Sequence, residues 1–596
     1  MNRFFGAFLL SAWCIVTQAQ VIEEVVGMTQ RVLPQPQFKT AAIDDTINLP
    51  MIDEFTQKSP FPKSAYWVDQ KAFINNTHGQ NPLSTGFATL DGLNESGFPY
   101  DITDNGSDTL ADVLTSRYFD LTGENNVYLS FFYQGGGLGE DPAADDSLIV
   151  DFWSPIDSAW ETVWVKEGSA MTVFKPAIIA VDNPKWLTNG FRFRFGAYGA
   201  KNGAFDIWNI DYVYFADNRN VGDTILSDPA FTRQLPTFLR KNYRSVPWFH
   251  FNNNLLQDSL VTIYRRNGPT PNPPWSLTKN KHVLYYNGNA EPLSPGFVNS
   301  TDPHNVNLQN PMLIDGFNPA PPSDSFNISI DCILPGTKVE PFTANDTLSH
   351  FQTFRNYYAF DDGTAERAYG VKNAFGARIA MQIHPEKTDT LKGVYFRFAH
   401  AGDDATQYTF KIGIWENNAG VPGNEIYVTD SNYVPDYGYY HNSFMPFSLD
   451  TSGIFINGSV FIGIKQNTDQ AIHIGLDINT TPKATPVFYG DFFNWYESLA
   501  PGTIMVRPYF KYQPLNLSSD EHSLSLAPKV YPNPANDVLF IASESTFEYS
   551  LFDLTGRLAQ NGIAKESIDI QSLDAGMYIL LLADGHEQFT QKIIVR

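Results

Sequence analysis

Short runs in which apolar and polar residues alternate recur along this chain, and Gly, Pro, Asn and Asp punctuate them. A period of two is the signature of a strand with one buried and one wet face. The clearest run is Phe191-Arg192-Phe193-Arg194-Phe195, which predicts three phenylalanines facing inward and two arginines facing out. Strand-like runs at 64–69, 72–75, 85–94, 127–133, 147–152, 162–165 and 205–215 complete a predicted sandwich over residues 51–217. Residues 21–50 read as an extended, proline-containing lead-in. Residues 218–348 are less regular, with predicted strands at 243–251, 260–265, 281–286 and 325–334 among proline-rich loops; a bridging, immunoglobulin-like sandwich is expected there. A further large sandwich is predicted over 349–515, with strands at 377–383, 391–398, 408–415, 460–464, 472–477 and 505–508. A polar linker at 516–528 leads to residues 529–596, where short apolar runs between Asp/Gly turns predict a small antiparallel sandwich.

Composition agrees with this pattern. Aromatics make up 14% of the 596 residues, and no long Ala/Glu/Lys/Leu run is present, so the chain is all-β. The formal net charge of −24 disfavours nucleic acid and anionic lipid as partners and is compatible with calcium-binding loops. Arg3, the apolar stretch from Phe4 to Val16 and the following Thr17-Gln18-Ala19-Gln20 read as a cleaved secretory signal over 1–20, too short to span a membrane. No other run approaches a transmembrane segment. Beyond Cys14 the one cysteine is Cys332, on an apolar strand, which predicts a buried structural thiol.

The final stretch carries the most specific signal. It holds Tyr531-Pro532-Asn533-Pro534-Ala535-Asn536-Asp537, then Leu551-Phe552-Asp553-Leu554-Thr555-Gly556, then Leu573-Asp574-Ala575-Gly576-Met577-Tyr578, and ends Lys592-Ile593-Ile594-Val595-Arg596. In that order these pieces resemble the C-terminal sorting domain of type IX secretion cargo in the Bacteroidetes. The resemblance implies export to the outer cell surface, the type IX machinery as a partner, and Tyr531, Pro532, Asn533, Pro534, Asp553, Gly556, Gly576 and Tyr578 as its motif residues. Residues 51–217, with Asp53-Glu54-Phe55, Ser147-Leu148-Ile149-Val150-Asp151-Phe152 and Asp206-Ile207-Trp208-Asn209-Ile210-Asp211-Tyr212-Val213, resemble MAM-type and concanavalin-like jelly rolls. Residues 349–515, with Trp415 before the Gly420-Val421-Pro422-Gly423 turn, are similar to jelly-roll modules of secreted surface proteins. The expected fold is therefore a multidomain chain of antiparallel β-sandwiches: two jelly rolls, an immunoglobulin-like bridge and a small C-terminal sorting domain. The Asp-Ser/Thr-apolar tripeptide that Bacteroidetes O-glycosylate occurs at Thr46, Thr109, Ser147, Ser158, Thr224, Ser259, Thr347 and Thr390; a polar residue opening a strand accounts for the same pattern.

Catalytic sets are missing. There is no Gly-x-Ser-x-Gly, no His-Glu-x-x-His and no Cys/His spacing for zinc. Gly135-Gly136-Gly137-Leu138-Gly139 lacks the Lys-Ser/Thr of a phosphate loop and reads as a wide turn; His250 and His473 read as satisfied structural residues. No catalytic residue is assigned and no cofactor is required. Acidic loops offer hard oxygen ligands for structural Ca²⁺: Asp104 and Asp108 in one loop, Glu54 with Asp211 through the MAM resemblance, and Asp361, Asp362 and Glu366 in the second jelly roll. Solvated turns explain the same acids. Trp67, Trp160, Trp164, Trp208, Trp415 and Trp495 are candidate sugar-stacking residues, although aromatics at alternating positions mostly build cores. The expected function is a secreted, non-enzymatic surface protein that binds a polysaccharide, glycan or protein ligand. A hydrolase with an unrecognised carboxylate site, and a structural component of the gliding or export apparatus, are the alternatives.

Overall fold

The computed structural model describes residues 21–34, 46–103, 109–223, 228–268, 281–286, 289–293, 307–314, 317–319, 322, 324–334, 342–438, 441–479, 483–510, 529–531, 535, 537–542, 547–553, 558–565, 567–571, 573, 575–583 and 588–595. Its regular structure is strands with four short 3-10 turns, and every strand pair in its sheets is antiparallel. Two compact units are present, Met1–Leu515 and Asn516–Arg596.

In the larger unit, residues 51–217, expected as the first jelly roll and so named, form a sandwich of two sheets. One is ordered Lys175–Val181, Val127–Gly135, Trp208–Ala216, Phe87–Leu90, Phe73–Asn75, with Met51–Asp53 also paired to Trp208–Ala216. The other is ordered Leu110–Thr115, Asn189–Tyr198, Ser147–Ser154, Ala159–Glu167, with Phe119–Asp120 added to Asn189–Tyr198. Phe191, Phe193 and Phe195 are fully buried, whereas Arg192 and Arg194 lie on the opposite face. Phe193 packs edge-on to Phe215 at 5.3 Å and Phe195 to Phe131 at 4.8 Å, so rings from both sheets fill the core. Each such buried ring contributes about 1.5–3 kcal/mol relative to exposure. Residues 64–69, expected as a strand, instead form a turn: the N–H groups of Tyr66 and Trp67 both donate to Lys63 O, leaving only a bridge from Trp67 to Ser116.

The bridge has a three-stranded sheet (Asp228–Phe231, Ser259–Asn267, Asn307–Leu313) and a four-stranded one (Asn289–Leu293, Lys281–Tyr286, Phe326–Ile333, Thr347–Phe354). Cys332 is fully buried on the alternating strand Phe326–Ile333. The expected strand at 243–251 is again a turn, closed by His250 N–H and Phe251 N–H on Pro247 O. The bridge and the second jelly roll share one apolar core, running from Phe231 through Leu348 to Phe510.

The second jelly roll sets one six-stranded sheet (Val421–Val428, Phe410–Asn418, Val460–Gln466, Arg378–Ile383, Val487–Gly490, Trp495–Glu497) beside shorter ones. One of these is ordered Ile22–Val26, Arg367–Lys372, Ile474–Asp477, Thr503–Ile504. The lead-in thus contains an edge strand of the second jelly roll, with Ile22 opposite Lys372 and Val26 opposite Ala368. Glu24 anchors it by accepting from His473 Nε2 at 3.0 Å and pairing with Lys372.

Among its described residues the smaller unit is a sandwich of seven strands. Lys529–Tyr531, Val538–Ala542 and Ser567–Asp569 form one sheet; Leu558–Ala564, Phe547–Asp553, Gly576–Ala583 and Gln588–Val595 form the other. Leu539, Leu551, Ile570, Leu580 and Ile593 are its fully buried centre. Ala535 N–H donates to Ile594 O at 2.8 Å, tying the residue after Pro534 to the last strand.

Candidate functional site

Alternation in the first jelly roll dictates a second face as strictly as it dictates the core. Residues one step from the buried phenylalanines point outward from the sheet Leu110–Thr115 to Ala159–Glu167. Register aligns them in rows: Arg192 sits opposite Trp153, which sits opposite Trp160; Arg194 sits opposite Asp151, which sits opposite Thr162. The Arg192 guanidinium lies 4.7 Å from the Tyr118 ring, 5.4 Å from Trp153 and 5.1 Å from Trp160, within cation–π range. Arg194 lies 4.4 Å from Trp160 and donates to Asp151 at 2.8 Å, while Thr162 donates to the other Asp151 oxygen at 2.8 Å. Trp153, Trp160, Arg192 and Arg194 are each half-buried, and Arg192 Nε has no acceptor. This face offers two indole rings set at 62° to one another beside guanidinium groups, which suits stacking of a sugar on one ring and hydrogen bonding to its hydroxyl or carboxylate oxygens.

The other tryptophan candidates are built into cores. Trp67, Trp208 and Trp415 are at most 2% exposed, and Trp67 Nε1 donates to Asp53 at 2.8 Å. Trp164 packs on Phe131 and Tyr133 at 5.3 and 5.0 Å. Trp495 is half-buried, with Arg378 4.2 Å from its ring. Trp153 was missed by sequence reasoning; extending the alternation one residue past Phe152 would have placed it outward.

Glu54 and Asp211 do come together, at the joint between the first jelly roll and the bridge. Tyr212 takes a left-handed backbone (φ 50°) at an irregularity in Trp208–Ala216 and turns its hydroxyl to Asp228 Oδ2 at 2.6 Å. Asn345 Nδ2 donates to that same oxygen and to the Tyr212 hydroxyl, both at 2.7 Å. Glu54 Oε1 accepts from Ala344 N–H at 2.6 Å, and Glu54 Oε2 is buried without a partner. Asp211 accepts from Ser84 Oγ at 3.0 Å and from Tyr212 N–H at 2.6 Å. Burial, then the charge of Asp228, pushes Glu54 up to about 7; burial also raises Asp211 well above the carboxylate range. Tyr212, next to Asp211, joins this set with Asp228 and Asn345, the last two from distant positions that no local sequence signal marks.

In the second jelly roll, Asp361 and Asp362 are neighbours in sequence with different duties. Asp361 accepts from Arg507 Nη2 at 2.7 Å and Nε at 3.2 Å, a buried bidentate pair. Asp362 Oδ1 accepts from Thr364 N–H and Oγ1, closing a turn. Glu366 accepts from Ile478 N–H at 2.9 Å and Thr364 Oγ1 at 3.1 Å, and burial raises it to about 7. Among the described residues, no three or more His, Cys, Asp or Glu side chains group as a metal site. Asp104 and Asp108 lie outside the described residues.

His250 bonds Tyr358 Oη at 2.8 Å and Asp389 Oδ2 at 3.0 Å, 2% exposed, as a satisfied structural residue. Gly136 and Gly137 both take φ 74°, and a Cβ on Gly137 would lie 2.4 Å from His78 O, so the glycine run is a tight backbone passage. Ser147, Ser259 and Thr347 open strands, Thr109 and Ser158 immediately precede them, and Thr390 lies within Asp389–Leu391. Thr46, Thr109, Ser158 and Thr347 are exposed, while Thr224 lies outside the described residues. Of the tail motif, Asp553, Gly576 and Tyr578 lie on paired strands, with Asp553 opposite Tyr578. Tyr531 ends the first tail strand. Pro532, Asn533, Pro534 and Gly556 are outside the described residues.

Residues 529–596 match the family of the secretion system C-terminal sorting domain. The tail marks the chain as type IX secretion cargo bound for the cell surface, with that machinery as a partner. Among the described residues, no helix is long and apolar enough to cross a membrane. A search of curated proteins found no match. Among solved structures, the glycoside hydrolase domain of Endo-D from Streptococcus pneumoniae R6 is similar over 52% of this chain at 8% identity and a TM-score of 0.17. The chain covers 43% of that structure, and so loose a likeness carries no argument about activity.

Proposed function

We propose that the body delivered by this tail is a non-enzymatic surface binding protein, and that it binds a polysaccharide through the open face of the first jelly roll. The supporting observation is the cross-strand row of Arg192, Trp153 and Trp160 with Arg194 beside it. Rings fixed by neighbouring guanidinium groups lose little freedom when a sugar stacks on them. The arginines favour a polymer that carries carboxylate or sulfate groups, and they answer the overall negative charge of the chain at the one place where contact is needed. Asp151 orients Arg194 rather than acting as a general acid, since Arg194 and Thr162 occupy both its oxygens.

Affinity electrophoresis of the secreted body through gels containing neutral or acidic polysaccharides tests the reading. Retardation by an acidic polymer is expected. Trp160→Ala should weaken it roughly 10-fold or more, the loss of one stacking partner worth about 1–3 kcal/mol, by analogy with base stacking on aromatics. Binding that is untouched by Trp160→Ala combined with Trp153→Ala would move the ligand elsewhere on the molecule. Reducing sugar released from those polymers would revive the hydrolase alternative.

A further inference from the structure

Residues 28–32 run against the second jelly roll and leave a small cleft lined by Gln30, Arg31, Arg397, His400, Tyr437 and Asn442, among others. We infer that this cleft is a binding site for a carboxylate, held between the guanidinium groups of Arg31 and Arg397. Arg31 is 4% exposed. Its Nη1 donates to Asp91 at 2.6 Å and its guanidinium lies 3.9 Å over the Phe73 ring, but its buried Nη2 has no acceptor. Arg397 donates from Nη2 to Asn442 Oδ1 at 2.9 Å and from Nη1 to Met505 Sδ at 3.3 Å, a weak acceptor, and makes no ion pair among the described residues.

No acid lines the cleft. Burial lowers Arg397 to about 10; Glu366, Asp361 and Asp362 oppose this, and the positive charge of Arg31 adds to it. Asp361 already gives both oxygens to Arg507. Arg31, paired with Asp91 yet keeping one unanswered N–H, and the half-buried Arg397 beside it make an arrangement that a planar anion relieves at both ends. A carboxylate matches the fork geometry of guanidinium groups, and the cleft has room for a few atoms only. The walls are fixed: Thr29 N–H donates to His400 O at 2.8 Å, and the His400 ring stacks on Tyr437 at 3.6 Å. The site lies between residues 28–32 and the second jelly roll, with Arg31 braced on Asp91 and Phe73 of the first, and does not depend on the tryptophan face. The carboxylate could come from a free small acid or from a uronic acid unit, and the two are separable.

Thermal unfolding of the full chain at fixed ionic strength in sodium chloride, sodium acetate and sodium glucuronate tests the inference. Acetate should raise the midpoint over chloride by on the order of 1–3 °C. An equal rise with glucuronate assigns the site to uronic acids; acetate alone assigns it to small free acids. Gln30→Glu adds a carboxylate to the lining of the cleft at constant size. It should melt above the wild type in chloride and lose the acetate response. A wild type indifferent to acetate, or a Gln30→Glu variant that still responds, overturns the site. Crystals of the wild type soaked in acetate, which cannot alkylate the cleft's histidine, give a check independent of any variant. Planar difference density for the carboxylate in the cleft is expected, and none at saturating soak overturns the proposal.

Discussion

Asp361 gives both carboxylate oxygens to one guanidinium, whereas Glu54 gives one to a backbone N–H and the other to nothing. Both acids are buried, Glu54 at a joint between modules and Asp361 within the second jelly roll. At the second jelly roll a cation meets the acid in a buried bidentate pair. At the first, burial and the neighbouring Asp228 leave proton uptake as the cheaper way to neutralise Glu54. The difference shows how a run of acids must be read. The same residue type is a counter-ion where an arginine is packed against it and a proton carrier where only carboxylates are.

The comparison breaks most visibly at Arg507. Arg507→Met should destabilise the body by about 3–5 kcal/mol, because Asp361 is left charged, buried and unmatched. Urea unfolding measures this. Adding Asp361→Leu to that variant should recover most of the loss; a double variant no more stable than the single would mean that packing of Arg507 on Phe444, 3.7 Å away, carries the effect instead. Next in size is Glu54. Its folded value is raised from 4.5 to about 7, so its stabilising proton is fully in place below pH 4.5. That contribution is lost as pH rises through about 7, a change of about 3 kcal/mol at most over the window. Glu54→Gln should flatten that part of the profile. Glu366 titrates in the same window, so the quantity to measure is the difference between wild type and variant. Identical profiles would show that Glu54 is ionised throughout.

Much of this was legible residue by residue, and the reason lies in contact distance along the chain. Phe191 to Phe195 declared their faces because a strand writes burial into its own alternation. Residues 64–69 and 243–251 misled because two or three apolar neighbours look like a strand, whereas Lys63 O and Pro247 O gather the local N–H groups into turns. The strand Ile22–Val26 could not be assigned to its sheet, since its partner Arg367–Lys372 lies in another module. The joint was half visible: Glu54 and Asp211 came from a resemblance, but Asp228, Tyr212 and Asn345 meet only through long-range folding. The open face was within reach, because Trp153 and Trp160 stand at outward positions of adjacent strands. The tail was the most legible part, as its turns and prolines are local.

Calcium sharpens the contrast at the first joint. Glu54 Oε2 is the open carboxylate oxygen there, with Asn345 Oδ1 also without a partner among the described residues, and calcium at about 1 mM, the range of extracellular sites, competes with the proton for it. A midpoint near pH 6 that is unchanged by calcium and by chelator is expected if the proton neutralises the acid. A rise in the wild type that Glu54→Gln abolishes would convert this joint into a cation site, and the difference from Asp361 would then be one of cation type.

The smallest effect is expected at Glu24, a third buried-edge acid that follows the rule of Asp361. His473 first, then Lys372, against the opposing effect of burial, lower Glu24 from 4.5 to about 2. With its folded value depressed, its contribution is present above pH 4.5 and disappears as pH falls toward about 2. Glu24 is 17% exposed, so solvent screening leaves about 1 kcal/mol. Acid unfolding of Glu24→Gln should therefore begin from a slightly less stable protein and show a shallower fall between those values. Hydrogen exchange should report the loss at Ile22–Val26 before any other strand, because that edge has only Arg367–Lys372 beside it. Unchanged protection there would mean that its five-residue ladder, rather than charge, holds this edge to the second jelly roll.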